Sequence, residues 1–306
     1  MMPSENNHQM PKERVVPKSY IALGMVFNVL AVFIERKVAD WLTQLWFTPL
    51  KGKIKQQTLD FWSSAQNTII PPNSKHNTAF SSWGSGPSVF FMHGWRGSGS
   101  QFRNFVEPLV SSGFQVILFD APGHGRSPHQ KTHLYEYADC LIECTQIYGQ
   151  PFAVIAHSIG CQAVAEAMRQ GMQPQRLVML APGMHVSHMF DHFCSQMQLN
   201  RRLSESFKNN IDIVAHDLEL IRAEESIWDI FSIEHAAEVI TQQGLVFFDH
   251  LDEELLETDI DRFVSLWGNA KIIKTERLGH YKLTKDETII QQVCDYLKQS
   301  ASISSQ

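Results

Sequence analysis

Six short apolar runs punctuate this chain, and helical patterns fill most of the gaps between them. The runs are "SVFFMH" (88–93), "QVILFD" (115–120), "FAVIA" (152–156), "LVMLA" (177–181), "LVFFD" (245–249) and "KIIKT" (271–275). They are β-branched or aromatic and nearly continuous in hydrophobicity, as strands are when both faces of a parallel sheet are covered. Helical spacing recurs over 99–111, 132–149, 158–171 and 286–299, and more loosely over 253–267. Such alternation predicts an α/β fold, doubly wound, with helices on both faces of a mostly parallel sheet. The stretch "NTAFSSW" (77–83) alternates weakly and predicts an antiparallel edge strand.

One interval breaks the rhythm. Between Gly183 and Gly244 there is no strand-like run. Apolar residues recur there at helical spacing instead: Met189, Phe190, Phe193 and Met197, then Ile211, Val214, Leu218 and Ile221. Three or four helices inserted between two strands would form a cap. The expected organisation is a tail and helical extension (1–76), a first part of the α/β core (77–183), the helical cap (184–243) and a second part of the core (244–306). A chain of 306 residues suffices for one such domain with its insertion. Residues 1–18 and the terminal "SASISSQ" read as disordered.

The N-terminal region holds a second constraint. Lys12, Arg14 and Lys18 precede "IALGMVFNVLAVFI" (21–34), the charge-then-apolar order of a secretory leader. However, "ERKVADW" follows, with no small-residue cleavage site. Fourteen residues also fall short of the roughly 20 that span a bilayer. Val38, Trp41, Leu42, Leu45 and Trp46 continue the helical spacing. Residues 20–47 therefore read as one long apolar helix, which either packs on the domain or lies against a membrane surface.

In an open parallel sheet, ligands bind at the carboxyl ends of the strands. The residues just after each run are "HGWRGSGSQ", "DAPGHGRS", "HSIG", "DHLDEE" and "ERLGHYK". A serine, several acids and a histidine thus fall at one edge of one sheet. Ser158 sits in "AHSIG", where a strand gives way at once to a helix. A tight turn there projects the hydroxyl and points the next N–H at the same space. It leaves little room for neighbours, which Gly160 and the small Ala156 respect.

A serine hydroxyl is a weak nucleophile and needs a base. His280 follows the last strand and is the expected base. His157 adjoins Ser158 and should point away from it. His93 and His124, in Gly-flanked turns, should brace loops by hydrogen bonds. The acid that orients the base should follow the 245–248 strand. Asp252 is the choice, with Asp249 as the alternative, because Asp249 ends the strand and should hold the loop. The oxyanion of acyl transfer needs two backbone N–H donors. Ile159, next to the serine, and Trp95, in a loop opened by Gly94 and Gly97, are the candidates.

Other chemistries fit less well. A net charge of −6 without a basic stripe argues against nucleic acid. Five scattered cysteines, an odd number, read as reduced thiols of a cytoplasmic protein. His185, His188 and His192 share a helical face beside Asp191 and could bind a metal, but surface histidines of this kind are common. No metal or other cofactor is expected.

"FMHGWRGS", "LFDAPGHGRS", "AHSIG", "FDHLDEEL" and "LGHYKLTKDETIIQQVCDYL" appear in one order from about 77 to 299. In these motifs the chain resembles capped α/β-hydrolases of the esterase, lipase and aminopeptidase type. The resemblance implies Ser158 as nucleophile, Asp252 as acid and His280 as base, with Trp95 and Ile159 as oxyanion donors. Ala156 stands where the family carries glycine, and Phe248-Asp249-His250-Leu251-Asp252 where it carries His-Asp-x-x-Asp.

The expected activity is hydrolysis of carboxylic esters of apolar small molecules through an acyl-enzyme. Met184, Met189, Phe190, Phe193 and Met197 suggest an apolar substrate or simply a packed helix face. An aminopeptidase would want carboxylates for a substrate amine, and Glu219, Glu224 and Glu225 are available. A thioesterase, an amidase or a binding protein that kept the fold are further readings of the same residues.

Overall fold

The computed structural model of the chain describes residues 18–218, 220–221 and 225–304. Its centre is an eight-stranded sheet: β1 (Asn67–Ile69), β2 (Phe80–Trp83), β3 (Ser88–Met92), β4 (Gln115–Leu118), β5 (Ala153–His157), β6 (Arg176–Leu180), β7 (Gln243–Asp249) and β8 (Ala270–Thr275). Their order across the sheet is β1-β2-β4-β3-β5-β6-β7-β8. Strands β3 to β8 pair in parallel, while β1 and β2 are antiparallel additions at one side. This is the α/β-hydrolase fold that the sequence predicts.

The helices are α1 (Lys18–Trp46), α2 (Gln56–Ser63), α3 (Arg103–Ser111), α4 (Leu134–Tyr148), α5 (Gly160–Arg169), α6 (Val186–Gln196), α7 (Arg201–Asp217), α8 (Ile227–Ile230), α9 (Ile233–Ala237), α10 (Glu257–Trp267), α11 (Gly279–Lys282) and α12 (Glu287–Ser304). Strand periodicity divides the core. Phe90, Met92, Val154 and Phe248 point to the face covered by α4, α5 and α10. Their neighbours Phe91, Ile155 and Phe247 point to the other face, under α3 and α12. Successive side chains of a strand face opposite ways, so both faces must be apolar when both are covered.

Helices α6 to α9 lie between β6 and β7 and form a third apolar cluster around Phe190, Leu203, Phe207 and Ile211. The inner side of α1 completes that cluster with Ala31, Val38 and Leu42. At Gly24 the helix approaches so closely that any side chain would collide with the Met197 carbonyl. Asn28 fixes the contact further, donating to the Gln198 carbonyl (2.8 Å) and accepting from the Asn200 N–H (2.9 Å).

Three expectations change. The 77–83 stretch holds β2, but β2 is not the edge: β1 pairs outside it, within the region read as helical extension. The long N-terminal helix is bent, because Ile34 leaves helical dihedrals (φ −137°, ψ 46°). Finally, the terminal stretch is not disordered through Ser304: α12 runs on to that residue, with Ser300 buried. The reading of residues 1–17 as disordered lies outside the described residues.

Candidate active site

Ser158 occupies the corner between β5 and α5 in a left-handed conformation, φ +56°. A non-glycine residue there costs roughly 1–3 kcal/mol and persists only where its surroundings enforce it. The enforcement is visible: Ser158 N–H donates to the Leu180 carbonyl (3.0 Å), and Cys161 N–H donates to the Ser158 carbonyl (3.0 Å). The corner also presses on the loop after β3. A Cβ on Gly160 would lie 2.6 Å from the His93 carbonyl oxygen, and one on Gly94 would lie 2.8 Å from Ser158 Cβ. Ala156 sits inside β5, paired with Met92 and Met179, where a methyl group is accommodated.

The structure brings Ser158, His280 and Asp252 together from three separate loops. Ser158 Oγ lies 2.9 Å from His280 Nε2, and His280 Nδ1 lies 2.8 Å from Asp252 Oδ2. The ionised carboxylate can only accept, so Nδ1 carries the hydrogen and Nε2 accepts from the serine hydroxyl. The other Asp252 oxygen accepts from Glu254 N–H (2.9 Å), which holds the carboxylate toward the ring. Asp252 and His280 are both buried.

Asp249 is placed differently. Its carboxylate accepts from Thr275 Oγ1 (2.8 Å), Leu278 N–H (2.9 Å) and Leu251 N–H (3.0 Å). Burial pushes its pKa up. The N–H groups of Leu278, Gly279 and Leu251 and the Thr275 hydroxyl outweigh that and hold it below the ordinary carboxylate value. Asp249 thus ties together the loops that carry Asp252 and His280.

Neutral histidines pin the remaining loops. His93 Nδ1–H donates to the Gly94 carbonyl (2.8 Å), while Nε2 accepts from Ala121 N–H (3.0 Å). His124 Nδ1–H donates to the Pro122 carbonyl (2.9 Å), and Nε2 accepts from Arg96 N–H (2.9 Å). Burial lowers the pKa of both, that of His124 to about 2. Trp95 stands between them and Tyr137, with its ring stacked on the tyrosine (6.5 Å between centroids). Asp120 accepts from Gly99 N–H (2.8 Å) and Arg126 N–H (2.9 Å), which closes the loop after β4 on the loop after β3.

Several contributors were hidden from sequence reasoning. His157 does turn from Ser158, but toward His280: its Nε2–H donates to the His280 carbonyl (2.8 Å). Gln162 on α5 donates to the carbonyls of Met184 and Ser232, which joins the elbow helix to the inserted helices. Glu254 places Oε2 3.7 Å from His280 Nε2. A Cβ on Gly183 would lie 3.2 Å from Ile159 N and 3.6 Å from Ser158 Oγ, so this glycine keeps open the space those atoms face. Gln162 and Glu254 follow the motifs and carry no distinguishing signal. Gly183 in "APGMH" had one, a glycine directly after a strand.

Ser158 and His280 line a cavity of about 610 Å³. Trp95 and Ile159 line it from the loop edge, Met184, Met189 and Phe193 from the insertion side. Phe190 and Met197 belong to the cluster beneath the inserted helices instead. The three cap histidines do not converge. His188 pairs with Asp259 (3.0 Å) and His192 with Gln196 (2.6 Å), and among the described residues no group of three or more His, Cys, Asp or Glu is placed to hold a metal. Glu219 and Glu224 lie outside the described residues. The five cysteines are buried and unpaired.

Residues 87–201 match the family model of the α/β hydrolase fold. Over 138 residues the chain is 30% identical to the sn-1-specific diacylglycerol lipase ABHD11 of Danio rerio, a match covering 42% of this chain and 43% of that protein. The chain thus spans less than half the length of that relative. Among solved structures, an esterase of Pyrococcus furiosus superposes with a TM-score of 0.59 at 17% identity, covering 83% of this chain and 97% of that one. A monoacylglycerol lipase of Paleococcus ferrophilus superposes with a TM-score of 0.53, also at 17% identity, covering 72% and 98%. At such identities the likeness to solved structures is one of fold.

Proposed function

We propose that this chain, an α/β-hydrolase by fold, is a serine hydrolase that cleaves carboxylic esters of apolar small molecules. The observation that carries the reading is the hydrogen-bonded series from Ser158 through His280 to Asp252, at the wall of a cavity. Ser158 Oγ attacks the acyl carbonyl as His280 Nε2 takes its proton. Asp252 keeps the ring oriented and balances the charge that forms on it. The developing oxyanion is received by the N–H groups of Ile159 and Trp95. His280 returns the proton to the departing alcohol. It then activates a water that releases the acid and restores Ser158.

Apolar side chains from the inserted helices, acting as a cap, favour an acyl chain over a charged group. The names borne by the relatives, lipases and esterases, favour an ester over an amide. The test is labelling with a fluorophosphonate probe followed by peptide mapping. The probe should attach to Ser158 and to no other serine, and labelling should be lost on denaturation. A panel of matched ester, thioester and anilide substrates then ranks the acyl-transfer classes, with the ester expected to turn over fastest.

A further inference from the structure

Residues 19–34 contain no charged side chain, yet only part of this stretch is buried. Gly24, Asn28 and Ala31 form the inner line of α1 and are fixed against the inserted helices. The opposite line holds Leu23, Met25, Val26, Val29, Val32 and Phe33, all exposed. Val29, Val32 and Phe33 are 63%, 75% and 80% exposed, values ordinary for lysine and far from usual for adjoining large apolar groups. The helix cannot roll to hide them. Asn28 bonds to the backbone at Gln198 and Asn200, and Gly24 sits directly on the Met197 carbonyl.

We propose that the outer face of α1 docks this protein on a lipid surface bearing anionic headgroups. Lipid fits better than a protein partner. From Leu23 to Phe33 the outer line offers no polar side chain, whereas protein interfaces carry about one hydrogen bond per 100–200 Å². Acyl chains need no such partner. Cations bound the apolar line at both ends, Lys18 before it and Arg36 and Lys37 after it, all exposed on a chain of net charge −6. That pattern suits a helix lying in the headgroup plane. The bend at Ile34 ends the exposed line, and beyond it Val38, Ala39 and Leu42 turn into the core. Among the described residues no helix is long and apolar enough to cross a membrane, so α1 lies along the surface.

The same helix also reaches the cavity. Tyr20 near its start, and Leu45 and Trp46 at its end, line the space that holds Ser158. Docking therefore sets the cavity beside the lipid, and an apolar ester could pass between them. This last consequence rests on the ester-hydrolase reading; the docking itself does not.

The test is flotation of the full chain with phosphatidylcholine vesicles, with and without a minority of phosphatidylglycerol. The wild type should float with the anionic vesicles and far less with neutral ones. V29Q/F33Q should bind about tenfold less, while melting near the wild-type temperature and hydrolysing a soluble ester as fast. F33Q alone should move the same way by less, which serves if the double variant is unstable. R36Q/K37Q should lose about tenfold on anionic vesicles only, and added salt should mimic it. Ser158→Ala should float as the wild type does. The proposal is overturned if the wild type floats with neither vesicle, or if V29Q/F33Q floats equally well. Equal flotation on both vesicle types overturns the role of the headgroups. A dimer that V29Q/F33Q dissociates, without vesicle binding, would assign the face to a second copy of the chain. Flotation without ester hydrolysis would leave docking intact and remove the catalytic reading; hydrolysis without flotation would do the reverse.

Discussion

The ring of His157 donates a hydrogen bond to the backbone carbonyl of His280, 123 residues further along the chain (2.8 Å). The residue beside the serine thereby holds the main chain of the residue that pairs with the serine. Burial and the nearby His280 lower the His157 pKa to about 3, so it serves this role as a neutral donor.

That neutrality makes folding sensitive to acid. In the unfolded chain His93, His124 and His157 take up protons near pH 6.5, whereas the folded chain refuses one at His157 down to about pH 3. The unfolded state binds more protons in this window, so stability is full above about 6.5 and falls with pH below it. Each such group contributes a slope of up to about 1.4 kcal/mol per pH unit. Urea unfolding between pH 7 and pH 5 should show this slope, and His157→Gln should reduce it.

The two acids after β7 should separate by what they damage. Asp252→Asn leaves the fold in place but deprives His280 of its partner, and ester turnover should drop by roughly 10³-fold or more. Asp249→Ala instead abandons three donors in a buried loop and should cost about 2–3 kcal/mol of stability. Because its pKa is depressed on folding, the Asp249 contribution is present above the unfolded carboxyl pKa and fades as pH falls through the folded one. Parallel denaturation and rate measurements on both variants check the division.

Gly183→Ala probes the proposed oxyanion space. Its Cβ would sit 3.2 Å from Ile159 N, where the substrate oxygen is expected. Turnover number should fall by about 10²-fold, the scale of one lost oxyanion donor, with stability changed by less than about 1 kcal/mol. Steady-state kinetics with a thermal melt distinguishes this from general damage.

The corner around Ser158 should tolerate change unequally. Gly160→Val pushes atoms into the His93 and Met92 carbonyls and should prevent accumulation of folded protein. Ala156→Gly restores the residue more usual in such elbows and should keep activity, at a stability cost of about 1 kcal/mol for a glycine inside a strand. Soluble yield and ester hydrolysis of the two variants read this out.

What was legible in the sequence follows from locality. Each parallel strand announced itself because burial on both faces demands an unbroken apolar run, and the positions of Ser158, Asp252 and His280 followed from strand ends. Strand β1 could not be seen: "NTI" is three residues long, mostly exposed, and exists only because β2 offers an edge. The bend at Ile34 and the outward face of α1 were equally hidden, since apolar residues occur all round that helix and spacing alone assigns no inner side. The bonds of His157 and Gln162 join segments distant in sequence, so no local pattern encodes them. The helical end of α12 defeated composition: a serine-rich stretch looks disordered until Ser300 is packed beneath the sheet's helices.

The most direct measurement is the initial rate of p-nitrophenyl butyrate hydrolysis by the wild type and by Ser158→Ala, purified in parallel. The wild type should turn over, and Ser158→Ala should fall by roughly 10⁴-fold or more while melting as the wild type does. A wild type inert toward every short- and medium-chain ester, or a Ser158→Ala variant that keeps its rate, would contradict the assignment of Ser158 as nucleophile.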